Sequence, residues 1–176
     1  MDKKRLLFLF LGLVFFWAVA VCVFRWDPTI EVRWINDNND KLIYMQRAAW
    51  VVEGSIPYKD VFSEYPQVPN YLFSVPFIVL SIFQPIETVN SFQYTALFSF
   101  MMLAFLALTI ILLYRLLPEN KDRAFLLLLP ASLYFTFNRF DILPAYLTLL
   151  SIALVYRNKM SWAVVLLGIG TMTKWY

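Results

Sequence analysis

The sequence predicts an all-α fold: a polytopic bundle of transmembrane helices with an external loop that bears one or two amphipathic or interfacial helices. Three observations lead there. The 176 residues are 61% hydrophobic and 19% aromatic, with a mean hydropathy of +0.64, more apolar surface than a water-soluble core of this length can hide. Two apolar runs, 6–24 and 92–113, have the length of about 20 residues that a bilayer demands. Between them lies a polar stretch in which carboxylates, Tyr and Pro are interleaved: Asp40, Tyr44, Gly54, Pro57-Tyr58-Lys59-Asp60 and Glu64-Tyr65-Pro66. Residues 1–176 read as a single membrane domain.

The composition excludes several classes of function. The net charge of +3 is small and sits at segment ends, so it reports orientation, and no basic groove with interleaved aromatics points to nucleic acid. The lone Cys22 lies in an apolar run, where a thiol acts as a small hydrophobe, and Val21 before it does not fit a lipoprotein site. With no His in the chain, imidazole is neither a base nor a metal ligand, so a base must be a carboxylate, a Lys or a Tyr. No cofactor is implied with certainty, and a divalent metal stays open.

The first span, 6–24, follows a basic start at Met1 to Arg5. It is too long and bulky for a cleaved signal, and the residues directly before Arg25, Cys22-Val23-Phe24, are not a small-x-small site. The positive-inside rule places the N-terminus in the cytoplasm and the following loop, 25–90, on the outer face of the cell membrane. Residues 25 to 87 carry five basic and eight acidic side chains, which an outer loop tolerates.

Within that loop, Asn36-Asp37-Asn38-Asn39 is a run of capping types. It predicts a helix from about Asp40 to Glu53, ended by Gly54 as the residue past the C-cap. The i, i+4, i+7 spacing puts Asp40, Tyr44 and Arg47 on one face, with Asp40 near the helix N-terminus where the dipole favours its ionised form. Gly54 to Tyr58 reads as a turn. Ser63 to Pro69 reads as an extended rim that fixes where Glu64 and Tyr65 point.

Residues 69–84 are apolar but short and hold Pro69 and Pro76, so they form an interfacial or re-entrant helix or, in the competing reading, a further crossing. If they do not cross, 92–113 runs inward and Arg115, Lys121 and Arg123 fall inside, as the charge rule prefers. Residues 91–176 then contain three further spans, at 92–113, 124–137 and 142–156. The apolar run 162–173 leads back outward. Arg139, Asp141 and Lys174 reach the outer side with Asp40 and Glu64. If 69–84 crosses, there are six spans and this convergence is lost.

At these residues the chain resembles the polytopic GT-C glycosyltransferases, which use polyprenyl-phosphate-linked sugars. Their first external loop often reads Asp, Tyr at i+4, Gly, Pro-Tyr, Asp and Glu-Tyr-Pro-Pro; here Asp40, Tyr44, Gly54, Pro57-Tyr58, Asp60 and Glu64-Tyr65-Pro66 follow that order, with Gln67 in place of the second proline. Asn138-Arg139-Phe140-Asp141 is similar to an Arg and acidic pair on a second external loop. Gly168 to Lys174 is similar to a Gly-rich helix ending in Lys. The nearest subfamily is the polyprenol-phosphate-mannose-dependent mannosyltransferases.

The resemblance implies transfer of a sugar, mannose above all, from a polyprenyl-phosphate donor to an acceptor on the outer face. Asp40 would be the base, with Glu64 beside it at the reacting centre. Glu64 and Asp141 would bind sugar hydroxyls or orient the acceptor, Tyr44 and Tyr65 would line the substrate site, and Arg139, Lys174 and Arg47 would face the phosphate. It also implies further spans after Lys174, so the chain is expected to be an N-terminal portion of such an enzyme. Its partners would be the lipid donor, membrane lipid and a second polypeptide supplying the missing spans. A non-catalytic membrane module, or a remnant of such an enzyme, is the competing class.

Plainer readings stand beside these. Asp40 also reads as a helix-capping acid, Arg139 and Asp141 as a mutual pair at the end of a span, and Lys174 as a snorkelling anchor. Lys59 and Asp60 read as exposed turn residues, and the Trp residues mostly as an interface belt. A transporter would place ionisable residues within its spans, and 6–24, 92–113, 124–137 and 142–156 contain none.

Overall fold

The structure, a computed structural model, describes residues 2–26 and 38–174. Trp34, the Asn36-Asp37 start of the capping run, Trp175 and Tyr176 lie outside the described residues. Among those described there is no β-strand, and the elements are helices: α1 (Lys3–Trp26), α2 (Asn38–Val52), α3 (Gln67–Leu80), α4 (Ser91–Leu116), α5 (Pro130–Asn138), α6 (Ile142–Tyr156) and α7 (Met160–Thr173). Short 3₁₀ segments, Ile86–Thr88 and Lys121–Leu128, precede α4 and α5.

Two helices, α1 and α4, are long and apolar enough to cross a membrane. At 24 and 26 residues they extend roughly 36 and 39 Å at 1.5 Å per residue, against a hydrocarbon core of about 30 Å. The pair α5 and α6, bent by 107° at Arg139 to Asp141, qualifies as a third candidate only if the two are counted as one span. The helices α3 and α7 are apolar but only 14 residues each.

The long helices lie antiparallel. Near one end the Trp17 indole donates to the Ala96 carbonyl at 2.8 Å, and near the other Arg5 reaches the Asp122 carboxylate at 3.2 Å. Between these ties, Leu9, Leu13 and Ala20 of α1 bury against Leu103, Leu106 and Ile110 of α4, the three-to-four-residue spacing that one helix stripe requires. Trp17 thereby departs from the interface-belt reading, being half-buried and edge-on to Phe100.

Helix α4 starts at a capping box readable as Asn-x-x-Gln. The Asn90 side chain accepts from the Gln93 amide N–H at 2.9 Å, and the Gln93 side chain accepts from that of Asn90 at 3.0 Å. A second core cluster joins α2, α3 and the first half of α4, with Tyr44, Phe73, Phe77, Tyr94, Phe98 and Phe140 buried together.

Residues 124–137 differ from expectation. Instead of one continuous helix they begin as 3₁₀ turns and restart as the nine-residue α5, whose first residue is Pro130. The reason is steric: proline has no N–H to donate and its ring blocks the carbonyl four residues back, so it tolerates only a helix start. Helix α5 then ends at Arg139 in extended backbone. By contrast, α6 occupies the expected 142–156, and α7 starts two residues before the expected 162. The hairpin of α6 and α7 closes through Asn158 at φ +57° and Ser151 donating to the Ala163 carbonyl at 2.8 Å. Gly170 packs against α6, where a Cβ would stand 3.4 Å from the Leu147 Cβ, about van der Waals contact.

Candidate active site

Helix α2 presents Asp40 in its first turn, where the unpaired backbone N–H groups favour a negative charge. One turn later Tyr44, almost fully buried, donates to the Asp40 carboxylate at 3.4 Å. Arg47 continues the series but leaves that wall: its guanidinium lies over the Trp50 ring at 4.3 Å and reaches the Glu64 carboxylate at 2.5 Å. The expected face is therefore split, with Arg47 acting on the site from behind Glu64.

The loop after α2 is held by its own side chains. Gly54 takes φ +92°, as a residue past a helix C-cap requires, and the Asp60 carboxylate accepts from the Ile56 N–H at 2.8 Å. Tyr58 sits at φ +68°, a strained setting for a side chain with a Cβ, and its phenol donates to the Tyr65 carbonyl.

The rim from Ser63 to Pro66 is locked from below by Asn70. This residue is 1% exposed; its amide donates to the carbonyls of Tyr65 at 3.2 Å and Pro66 at 2.8 Å. Its carbonyl oxygen accepts from the Ser63 hydroxyl at 2.9 Å, and that hydroxyl accepts from the Tyr65 N–H at 3.2 Å. Asn70 was not among the residues expected to matter. Its signal in the sequence is a bare amide inside the apolar stretch after Pro69, since a buried amide must find partners.

The second wall is the turn between α5 and α6. Arg139 contacts the Asp40 carboxylate, and Lys174, at the end of α7, contacts that of Asp141. Between the pairs Phe140 is buried edge-on against Tyr44, Tyr65 and Phe73, while Tyr44 stacks on Phe73 with ring centroids 4.4 Å apart. Asn138, adjacent in the motif, points inward and donates to the Tyr134 carbonyl at 3.0 Å.

These groups enclose an open cavity of about 760 Å³. It is lined by Asp40, Tyr44, Glu64, Tyr65, Arg139, Asp141 and Lys174 together with Tyr58, Phe62 and Phe135, so every expected site residue except Arg47 faces it. A smaller groove of about 280 Å³ shares Phe135 and Asp141 with it and is otherwise mostly apolar, lined by Leu106, Leu127 and Ile142 among others.

Burial pushes the Tyr44 phenol well above its ordinary pKa, with Tyr65 and Asp141 adding to the shift; burial and the Glu64 carboxylate push Tyr65 upward as well. Both phenols are thus held as donors at neutral pH. Of the three residue types open as a base, tyrosine is the least suited.

Lys41, also missed, lies behind the site. It is 1% exposed, with its ammonium 4.3 Å from the Phe137 ring centre and 3.4 Å from the Ser99 hydroxyl, which donates to the Phe137 carbonyl at 2.8 Å. A cation at the C-terminal turn of α5 meets the negative end of that helix. Among the described residues no group of three or more carboxylate or thiol side chains is placed to hold a metal ion. Compared with known proteins, the chain matches no family model, no curated protein and no solved structure.

Proposed function

We propose that the chain builds the catalytic site of a membrane-embedded glycosyltransferase of the GT-C type, moving a sugar, mannose first, from a polyprenyl-phosphate donor to an acceptor hydroxyl on the outer face of the cell membrane. The observation that carries this reading is the cavity itself. Segments about 75 and 110 residues downstream bring Arg139, Asp141 and Lys174 to the loop carboxylates Asp40 and Glu64. The apolar groove beside it suits the hydrocarbon of a lipid donor.

In the proposed reaction the acceptor oxygen attacks the anomeric carbon of the sugar and its proton passes to the Asp40 carboxylate. The bond from that carbon to the phosphate oxygen breaks, and its electron pair leaves with the phosphate, held by Arg139 and Lys174. Glu64, fixed by Arg47 and by the Asn70 clamp, orients the acceptor, and Asp141 binds sugar hydroxyls. Tyr44 and Tyr65 close the site as donors.

The proposed orientation has the N-terminus in the cytoplasm. It draws support from Arg5 and Asp122 meeting, since the basic start and the segment holding Lys121 and Arg123 then share one end of the molecule. The proposed partners are the lipid donor, membrane lipid and a second polypeptide with further spans, for which the exposed Trp162, Val165 and Ile169 of α7 offer apolar surface.

The test is transfer of mannose from a short-chain polyprenyl-phosphate mannose by membranes containing the chain, alone and with candidate partner polypeptides. Turnover abolished by Asp40→Asn supports the reading, and full turnover in that variant removes Asp40 as base. A second reading, a non-catalytic module, is favoured by one observation: each carboxylate lining the cavity already contacts a cation, an arrangement that also serves only to tie helices together.

A further inference from the structure

The cavity is closed electrically in a particular way. Its wall carries three carboxylates, Asp40, Glu64 and Asp141, and each is in contact with one cation, Arg139, Arg47 and Lys174 respectively. With Arg47 counted, the six charges of these described residues sum to zero. Among them no cation is left over for an anion. A phosphate can be held by Arg139 and Lys174 only if it competes with Asp40 and Asp141 for them.

We infer that the site works by ion-pair exchange: a phosphate monoester or diester draws Arg139 and Lys174 off Asp40 and Asp141, and only then is the Asp40 carboxylate open to take a proton. The physical basis is the ranking of partners. A guanidinium binds a phosphate through paired N–H donors at least as well as a carboxylate, and the phosphate offers more acceptor oxygens to span both cations. The side chains in the two pairs are 19 to 36% exposed, so they are not locked in a dry interior and can part at modest cost.

One consequence follows within the proposed transferase, on which this inference rests: the donor phosphate must be in place before the acceptor hydroxyl has a base to meet. Tyr44, donating to Asp40 at 3.4 Å, remains as its partner when Arg139 leaves, so the exchanged carboxylate keeps one hydrogen bond.

The measurement is a titration of the full chain in detergent micelles with geranyl phosphate, inorganic phosphate and, as the uncharged control, geraniol. Under exchange, removing a competing carboxylate strengthens anion binding. Asp40→Asn and Asp141→Asn should each tighten geranyl phosphate roughly fivefold, the scale of a part-exposed ion pair, and leave geraniol unchanged. Arg139→Gln should weaken geranyl phosphate at least about tenfold. Inorganic phosphate tightened to the same extent supports the exchange and makes the headgroup the whole ligand; tightening of geranyl phosphate alone makes the lipid phosphate the ligand. Unchanged or weaker anion binding in both Asn variants overturns the exchange, as does wild-type affinity for geranyl phosphate no greater than for geraniol. Mannose transfer by the parent chain, measured in parallel in membranes with the candidate partner polypeptides, separates the two ideas: tightening in the variants with no transfer by the parent leaves exchange standing and sinks the transferase, and transfer by the parent without tightening in the variants does the reverse.

Discussion

Asp40, in the first turn of α2, and Arg139, at the end of α5, are 99 positions apart in the chain and meet in the same cavity. The contact ties the loop after the first long helix to the turn between α5 and α6, and it sets one cation on the residue proposed as base.

If Asp40 accepts the acceptor proton, Asp40→Asn should lower mannose transfer by a factor of about 10² or more, the usual weight of a positioned base, with little change in membrane insertion. Arg139→Gln should lower transfer too, mainly through donor affinity. Transfer rates at several donor concentrations distinguish the two variants.

Asn70 gives a prediction about positioning. Asn70→Leu removes one of two bonds at the Tyr65 carbonyl, which keeps the Tyr58 phenol, and at the Ser63 hydroxyl, which keeps the Tyr65 N–H, and it takes the side-chain donor from the buried Pro66 carbonyl, at a cost of about 1–3 kcal/mol in all. The variant should melt at a lower temperature, and limited proteolysis should cut between residues 60 and 68 faster than in the parent. Unchanged cutting would mean that the rim is held by other contacts.

The raised pKa values of Tyr44 and Tyr65 set an alkaline limit. The unfolded phenols titrate at the ordinary value of 10.0 and the folded ones above it. Between those points the folded state holds the extra proton, so its stability is fully present below pH 10.0 and declines as the pH rises past that value. The slope is at most about 1.4 kcal/mol per pH unit for each phenol. Thermal melts from pH 9 to 11.5 should show the decline, and Tyr44→Phe should flatten it. A slope that is the same in parent and variant would assign the decline elsewhere.

Lys41 separates charge from volume. Lys41→Met keeps the stem, and Ser99 retains its bond to the Phe137 carbonyl, so it should cost clearly less than a reversal of charge. Lys41→Glu places an anion against the C-terminal turn of α5 and should cost at least about 3 kcal/mol. Melting curves of the two variants, side by side, give the difference.

Together with the proposed orientation, the antiparallel pairing of α1 and α4 predicts a labelling pattern. In a Cys22→Ala background, Lys59→Cys should react with an impermeant maleimide in intact cells, while Lys4→Cys and Glu119→Cys should react only after permeabilisation. Labelling of positions 4 and 119 from opposite sides would contradict the pairing through Arg5 and Asp122.

Much of the helical layout was legible locally. The extent of α2, the end at Gly54 and the bounds of α6 follow from capping types, backbone permissiveness and apolar run length, which neighbouring residues alone decide. The break at 124–137 was legible in principle, since Pro130 stands in the middle of the run. Composition outweighed it there, although a proline inside an apolar stretch constrains the backbone regardless of hydropathy.

Sequence by itself determined the class of elements, the two long apolar helices and the polar loop with Asp40, Tyr44, Glu64 and Tyr65, because periodicity, run length and turn chemistry are local properties. Tertiary structure decided which charges meet. It sent Arg47 to Glu64 rather than to the cavity, gave Asp40 to Arg139 and Asp141 to Lys174, and buried Lys41 and Asn70 as supports. Ion pairs and buried amides depend on distances across elements far apart in the chain, and those distances are fixed only when the helices pack against α4.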